Sequence, residues 1–166
     1  MTERFHLERV GAEDPADENQ VSGYGKLELF QSDVEFRFNT EDISLEEAEL
    51  YIQDVLNHLP DYTINDICSQ AYKWKTEKMS SDTADYPAGL AEAEGRGVLA
   101  YMAVDEVELY RNPANSNDKI LGAILGGSTE WDTENGMEIV VHGDKVLEVR
   151  EYLGYGEFAI WNESDE

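Results

Sequence analysis

Three histidines, one cysteine and 37 carboxylates are the side chains of this chain best equipped for chemistry. His6, His58 and His142 lie far apart, with no H-x-x-x-H or C-x-x-C spacing to place two ligands on one face, so a zinc site has no sequence support. Asp132-Thr133-Glu134-Asn135-Gly136 shares part of a calcium-loop pattern. It lacks the alternating D-x-[DN]-x-[DN]-G order and the closing glutamate, and reads as an acidic turn before a strand. Weak Ca²⁺ or Mg²⁺ association with the acidic surface stays open. Cys68 falls on an apolar helical stripe, the setting of a buried structural thiol and not of a nucleophile. Gly126-Gly127-Ser128 is not the G-x-S-x-G elbow. Ser22-Gly23-Tyr24-Gly25-Lys26 lacks the G-x-x-x-x-G-K-[ST] order of a phosphate loop, and Gly23 and Gly25 read as loosening the entry to a strand. Paired carboxylates could serve glycoside hydrolysis, but with so many acids some pair falls at any spacing. No catalytic residue, metal site or cofactor emerges.

Charge is the stronger clue. The chain has 12 Lys+Arg against its 37 Asp+Glu, a formal net charge of -25. Such a surface repels nucleic-acid phosphates and anionic membranes, and favours cations or a basic protein partner. The acids are unevenly spread. Between Arg37 and Lys73 there is no Lys or Arg, yet Glu41, Asp42, Glu46, Glu47, Glu49, Asp54, Asp61 and Asp66 fall there. After Arg150 every charged residue is an acid. The negative potential is expected to peak around these two segments. Tyrosines beside them would anchor a partner that the charge has steered. The candidate partner-binding residues are therefore Glu46, Glu47, Glu49, Tyr51, Asp54, Asp61 and Tyr62, with Tyr155 and Glu157 near the C-terminus.

The elements that must position these residues are legible from periodicity. Leu27 and Leu29, then Val34, Phe36 and Phe38, alternate with polar residues across a short turn, predicting a β-hairpin. Ser44 and Glu47 form an S-x-x-E capping box. Leu45, Ala48, Ile52, Val55, Leu56 and Leu59 then follow at helical spacing up to Pro60. A second helix is expected with Thr63 as its cap, a Tyr62–Ile67 staple, and Lys73, Lys75 and Lys78 toward its end. Strands are predicted over 98–104, 107–110 and 120–125, with Asp105 and Glu106 as a break. A hairpin is expected around His142-Gly143-Asp144, and a last strand over 157–161. Strands, two helices, then strands predict an α+β fold: a mainly antiparallel sheet with an αα-hairpin packed on one face.

The length of 166 residues suits one domain. Residues 1–20 read as a flexible acidic arm or one short edge strand, 21–161 as the domain, and 162–166 as a disordered acidic tail. The apolar fraction of 41% is too high for a disordered acidic chain. One cysteine excludes an internal disulfide and fits a reducing compartment. With no apolar leader at the start and no run of about 20 apolar residues, a cytoplasmic location is expected.

The stretch Trp131-Asp132-Thr133-Glu134-Asn135-Gly136, followed by an alternating strand, the turn at Gly143 and a second strand to Val149, resembles an uncharacterised bacterial domain family. That family carries a D-x-E-H-G pattern before a β-hairpin. This chain has Asn135 where the family often has histidine, so no role of that histidine is carried over. Some members lie beside polymorphic toxin systems as suspected immunity proteins. The resemblance covers one hairpin and implies a small acidic cytosolic α+β protein without an established activity. The expected function is a non-enzymatic acidic binding protein, such as an immunity protein that neutralises a basic toxin. The alternatives are a nucleic-acid mimic that inhibits a DNA-binding protein, and a carboxylate-metal enzyme.

Overall fold

Seven strands lie side by side in the order in which the chain makes them. They are β1 (Glu8–Asp14), β2 (Asp17–Leu27), β3 (Ser32–Asn39), β4 (Met102–Arg111), β5 (Leu121–Thr129), β6 (Met137–His142) and β7 (Lys145–Glu151). This computed structural model describes residues 5–14, 16–81, 86–111 and 120–152. All neighbouring strands are antiparallel except β3 and β4, which are parallel. Parallel neighbours need a long crossover, because a tight turn cannot return the chain in the same direction. Here the crossover holds both helices, α1 (Leu45–Asp54) and α2 (Asp61–Ser81). The class is α+β with a mostly antiparallel sheet, as the element order predicts.

Alternation decides which side chains form the core. Val34, Phe36 and Phe38 of β3 are buried between partly exposed neighbours. They join Val107, Leu125 and Ile139 from the next strands, and Ile52, Leu56 and Ile67 from the helical segment. On the opposite face Tyr110, Ile124 and Val140 form a small second cluster. Charged side chains share that face. Arg37 bridges Glu35 at 3.4 Å and Glu106 at 3.1 Å. Arg150 bridges Glu138 at 3.5 Å and Glu148 at 2.9 Å.

The predicted break at Asp105-Glu106 is a bulge inside one continuous strand. Val104 pairs with Gly127 and Glu106 with Gly126, leaving Asp105 as the extra residue. The insertion lets Val104 and Val107, three apart, both face the core, which strict alternation forbids. Likewise β5 runs to Thr129, past the expected strand end, and residues 98–101 are a 3-10 segment rather than strand.

The helix starts divide the same way. Ser44 and Glu47 make the reciprocal capping bonds, each at 3.1 Å. α1 stops at Asp54, and a 3-10 turn at Leu56–His58 completes the path toward Pro60. Thr63 does not cap α2, which begins at Asp61. Its hydroxyl donates to the carbonyl of Asp144, and Tyr62 donates to Asp144 Oδ2 at 3.1 Å. The start of α2 is thus tied to the β6–β7 turn, where Gly143 takes a left-handed φ of 64°. Farther along, the Val149 N–H of β7 donates to Gln70 Oε1 at 3.1 Å, so α2 covers the edge of the sheet at β7. An αα-hairpin is not established: the main neighbours of α2 are β7 and the 3-10 segment Gly95–Tyr101, not α1.

Of the two readings of residues 1–20, an acidic arm or a short edge strand, residues 8–14 form the edge strand β1, and the segment before it is pinned by α1. Phe5 N–H donates to Gln53 Oε1 at 2.6 Å and Leu7 N–H to Glu49 Oε2 at 2.8 Å. Gly23 and Gly25 lie inside β2, not at its entry. A Cβ on Gly25 would sit 2.5 Å from the Phe5 ring, and one on Gly23 would sit 3.0 Å from Leu7 Cβ. The bare backbone makes room for the incoming segment. The expected strand over 157–161 and the tail at 162–166 lie outside the described residues.

Candidate functional site

The candidate acids separate by what they touch. Glu47 caps α1 and forms an ion pair with Arg111, which also donates to the Asp42 carbonyl. The Ser44 N–H and the Arg111 guanidinium hold the Glu47 carboxyl below its ordinary range, against a smaller opposing effect of partial burial than that of the Ser44 bond. Glu49 is buried and engaged with Leu7 N–H and His6 Nδ1. Tyr51 is also buried, and its hydroxyl donates to the Gly143 carbonyl at 2.7 Å. Burial pushes its phenol well above the usual tyrosine range, with Tyr110 and Asp144 adding to it. Asp61 pairs with Arg96 at 2.8 Å. Tyr62 is 58% exposed, and its bond to Asp144 raises its phenol pKa. Glu46 and Asp54 are exposed. Tyr155 and Glu157 lie outside the described residues.

Three of the acids thus meet cations or donors that the sequence places far away. The run from 38 to 72, which has no Lys or Arg of its own, receives Arg111 and Arg96 through the fold. What stays outward on α1 is a stripe one turn apart: Glu46, Leu50 and Asp54. Leu50 is 39% exposed, with an acid on either side along the helix.

A second feature lies at the other end of α2. An open cleft of about 750 Å³ separates α2 from β7 and the loop after β5. Lys73, Trp74 and Lys78 line it from the helix, and Asp132, Glu148 and Arg150 from the sheet side. Trp74 meets the buried Trp131 edge-on, with ring centroids 5.4 Å apart. The Asp132 carboxylate accepts the Asn135 side-chain N–H at 3.0 Å and its backbone N–H at 3.3 Å, which closes the acidic turn. The turn thereby has a structural reason for its aspartate. Lys75, by contrast, turns into the protein, where Nζ donates to the Leu90 carbonyl at 2.8 Å.

A family model described as Domain of unknown function (DUF6985) matches residues 10–156. The chain belongs to that family. No curated protein and no solved structure matches it. The DUF6985 span takes in all seven strands from within β1, so it contains both the α1 stripe and the cleft.

Other chemistry is accounted for by position. Cys68 is buried, and desolvation raises its thiol pKa against a lesser opposing effect of Arg96. It is protonated and shielded at neutral pH. Among the described residues no three His, Cys, Asp or Glu side chains converge as metal ligands. Among them, too, no helix is long and apolar enough to cross a membrane. The cleft residues are those that sequence reasoning missed. Gln70, Lys73, Trp74, Glu77 and Lys78 share one helix face at spacings of three and four, which was a readable signal. Arg150 carried none, because only the sheet brings β7 beside α2.

Proposed function

We propose that the protein is a non-enzymatic acidic binding protein that holds a basic protein partner on the outward face of α1. The observation that carries this is the exposed Leu50 with Glu46 and Asp54 one turn to either side. Carboxylates in that position steer a cationic surface, and the leucine gives it an apolar contact once it has docked. The net charge of -25 supports the same reading through long-range attraction at low salt. Neutralising a basic toxin, in the cytoplasm, is the form of binding we favour.

The test is co-purification with the product of the adjacent reading frame, followed by titration at rising salt. The expected result is a one-to-one complex that weakens steeply with salt. A variant combining Glu46→Gln, Leu50→Ser and Asp54→Asn should bind at least about tenfold more weakly. An adjacent product that does not bind, or one held equally well by the variant, overturns the proposal.

A further inference from the structure

We propose that Asn135 is a site of self-deamidation, that the Asp132 carboxylate holds it in check, and that its conversion opens the turn between β5 and β6. Asn135 is the only asparagine of the chain that a glycine follows. The chemistry is intramolecular. The Gly136 backbone nitrogen gives its proton to hydroxide and attacks Asn135 Cγ. A new C–N bond closes a five-membered imide, the bond from Cγ to the side-chain nitrogen breaks, and that nitrogen takes up a proton and leaves as ammonia. Water then opens the imide. Attack at the side-chain carbonyl gives aspartate, and attack at the main-chain carbonyl gives isoaspartate. No oxidant or reductant is needed. With no Cβ, Gly136 bars the approach of its own nitrogen least.

Geometry sets the rate, because ring closure needs the nitrogen held against Cγ in a near-attack pose. Here the Asn135 amide is turned the other way. Its side-chain nitrogen donates to Asp132 Oδ1 at 3.0 Å and to Oδ2 at 3.3 Å. Its own backbone N–H donates to the same Oδ1 at 3.3 Å. The side chain is thus folded back toward residue 132, on the amino side, while the attacking nitrogen lies on the carboxyl side. Asp132 is buried, and its N–H donates to Thr129 Oγ1 at 3.2 Å, which fixes the latch. Asn135 itself is exposed to water, between the end of β5 and the start of β6.

Conversion is one-way and undoes the latch. A carboxylate then stands where the amide donated, so two acceptors of like charge face each other. Isoaspartate also reroutes the main chain through the side-chain carbon. The Gly136 carbonyl accepts the Tyr152 N–H at 2.8 Å, so the end of β7 is loosened with the turn.

The experiment incubates the whole chain at mildly alkaline pH and follows residue 135 by intact mass and peptide mapping. Wild type, Asp132→Ala and Asp132→Asn are each compared folded and in urea. Folded Asp132→Ala should convert about tenfold faster than folded wild type, because a charge-assisted hydrogen bond no longer has to open first. In urea the variants and wild type should convert alike, since no fold holds the latch. If circular dichroism shows that Asp132→Ala does not fold, Asp132→Asn decides, and it too should exceed the wild-type rate. A folded wild type that converts as fast as the unfolded chain overturns the proposal. So does an unchanged rate in the folded variant. The opening of the turn is read separately: Asn135→Asp should lower the urea midpoint, and an equal midpoint overturns that half. The α1 stripe plays no part in these measurements, so the two proposals stand or fall separately.

Discussion

Glu47 closes the α1 capping box and carries a charge that faces Arg111, two tasks with different pH behaviour. Its carboxyl is held low in the folded protein, first by the Ser44 N–H and then by Arg111. A lowered pKa favours the ionised group in the folded state. The stability it adds is present above the ordinary glutamate range and is lost as pH falls through the folded value. Glu47→Gln keeps a side chain able to accept from Ser44 but removes the charge. The side chain is 47% exposed, so the difference at neutral pH is small, roughly 0.2–1 kcal/mol. Urea midpoints should show the wild type ahead at pH 7, with the gap closing as pH drops below about 4.3. A gap that is equal at both ends would mean that the charge plays no part. The capping role was legible, because a box is a local pattern. The burial of Glu49 was not, since its partner is the Leu7 N–H, 42 residues away.

At the scale of elements, what the chain shows locally and what it becomes part company where one element meets another. β3 follows its alternation, and α1 follows its cap. β4 departs from alternation because the bulge at Asp105 re-aims Val107, and only pairing with β5 reveals the extra residue. Residues 5–14 offered no period, yet they find a place because Gly23 and Gly25 leave space on β2. Gly25→Val should therefore displace Phe5 and loosen the whole N-terminal segment, at about 1–3 kcal/mol. Hydrogen exchange is the measurement: protection at Leu7 N–H should fall while that at the central β5 amides holds. Unchanged exchange at Leu7 would show that the Phe5 ring can yield without cost.

For the whole molecule, the decisive quantity is the net charge of -25. Ion pairs such as Arg37–Glu106 and Arg96–Asp61 offset part of it, but there are too few bases to offset it all. Self-repulsion then works against the compact state, and salt relieves it. The midpoint of thermal unfolding should rise as NaCl increases from about 10 mM to about 500 mM. A midpoint that falls would show that the ion pairs outweigh the repulsion. Composition alone established the acidity, and periodicity alone established strands, two helices and an α+β class. These are properties of short windows, in which neighbours along the chain are also neighbours in space. The parallel join of β3 to β4, the arginines that reach the run without Lys or Arg, and the cleft between α2 and β7 were decided by tertiary structure. Each depends on residues distant in sequence meeting across the sheet, and no local pattern encodes which strand will lie beside which helix.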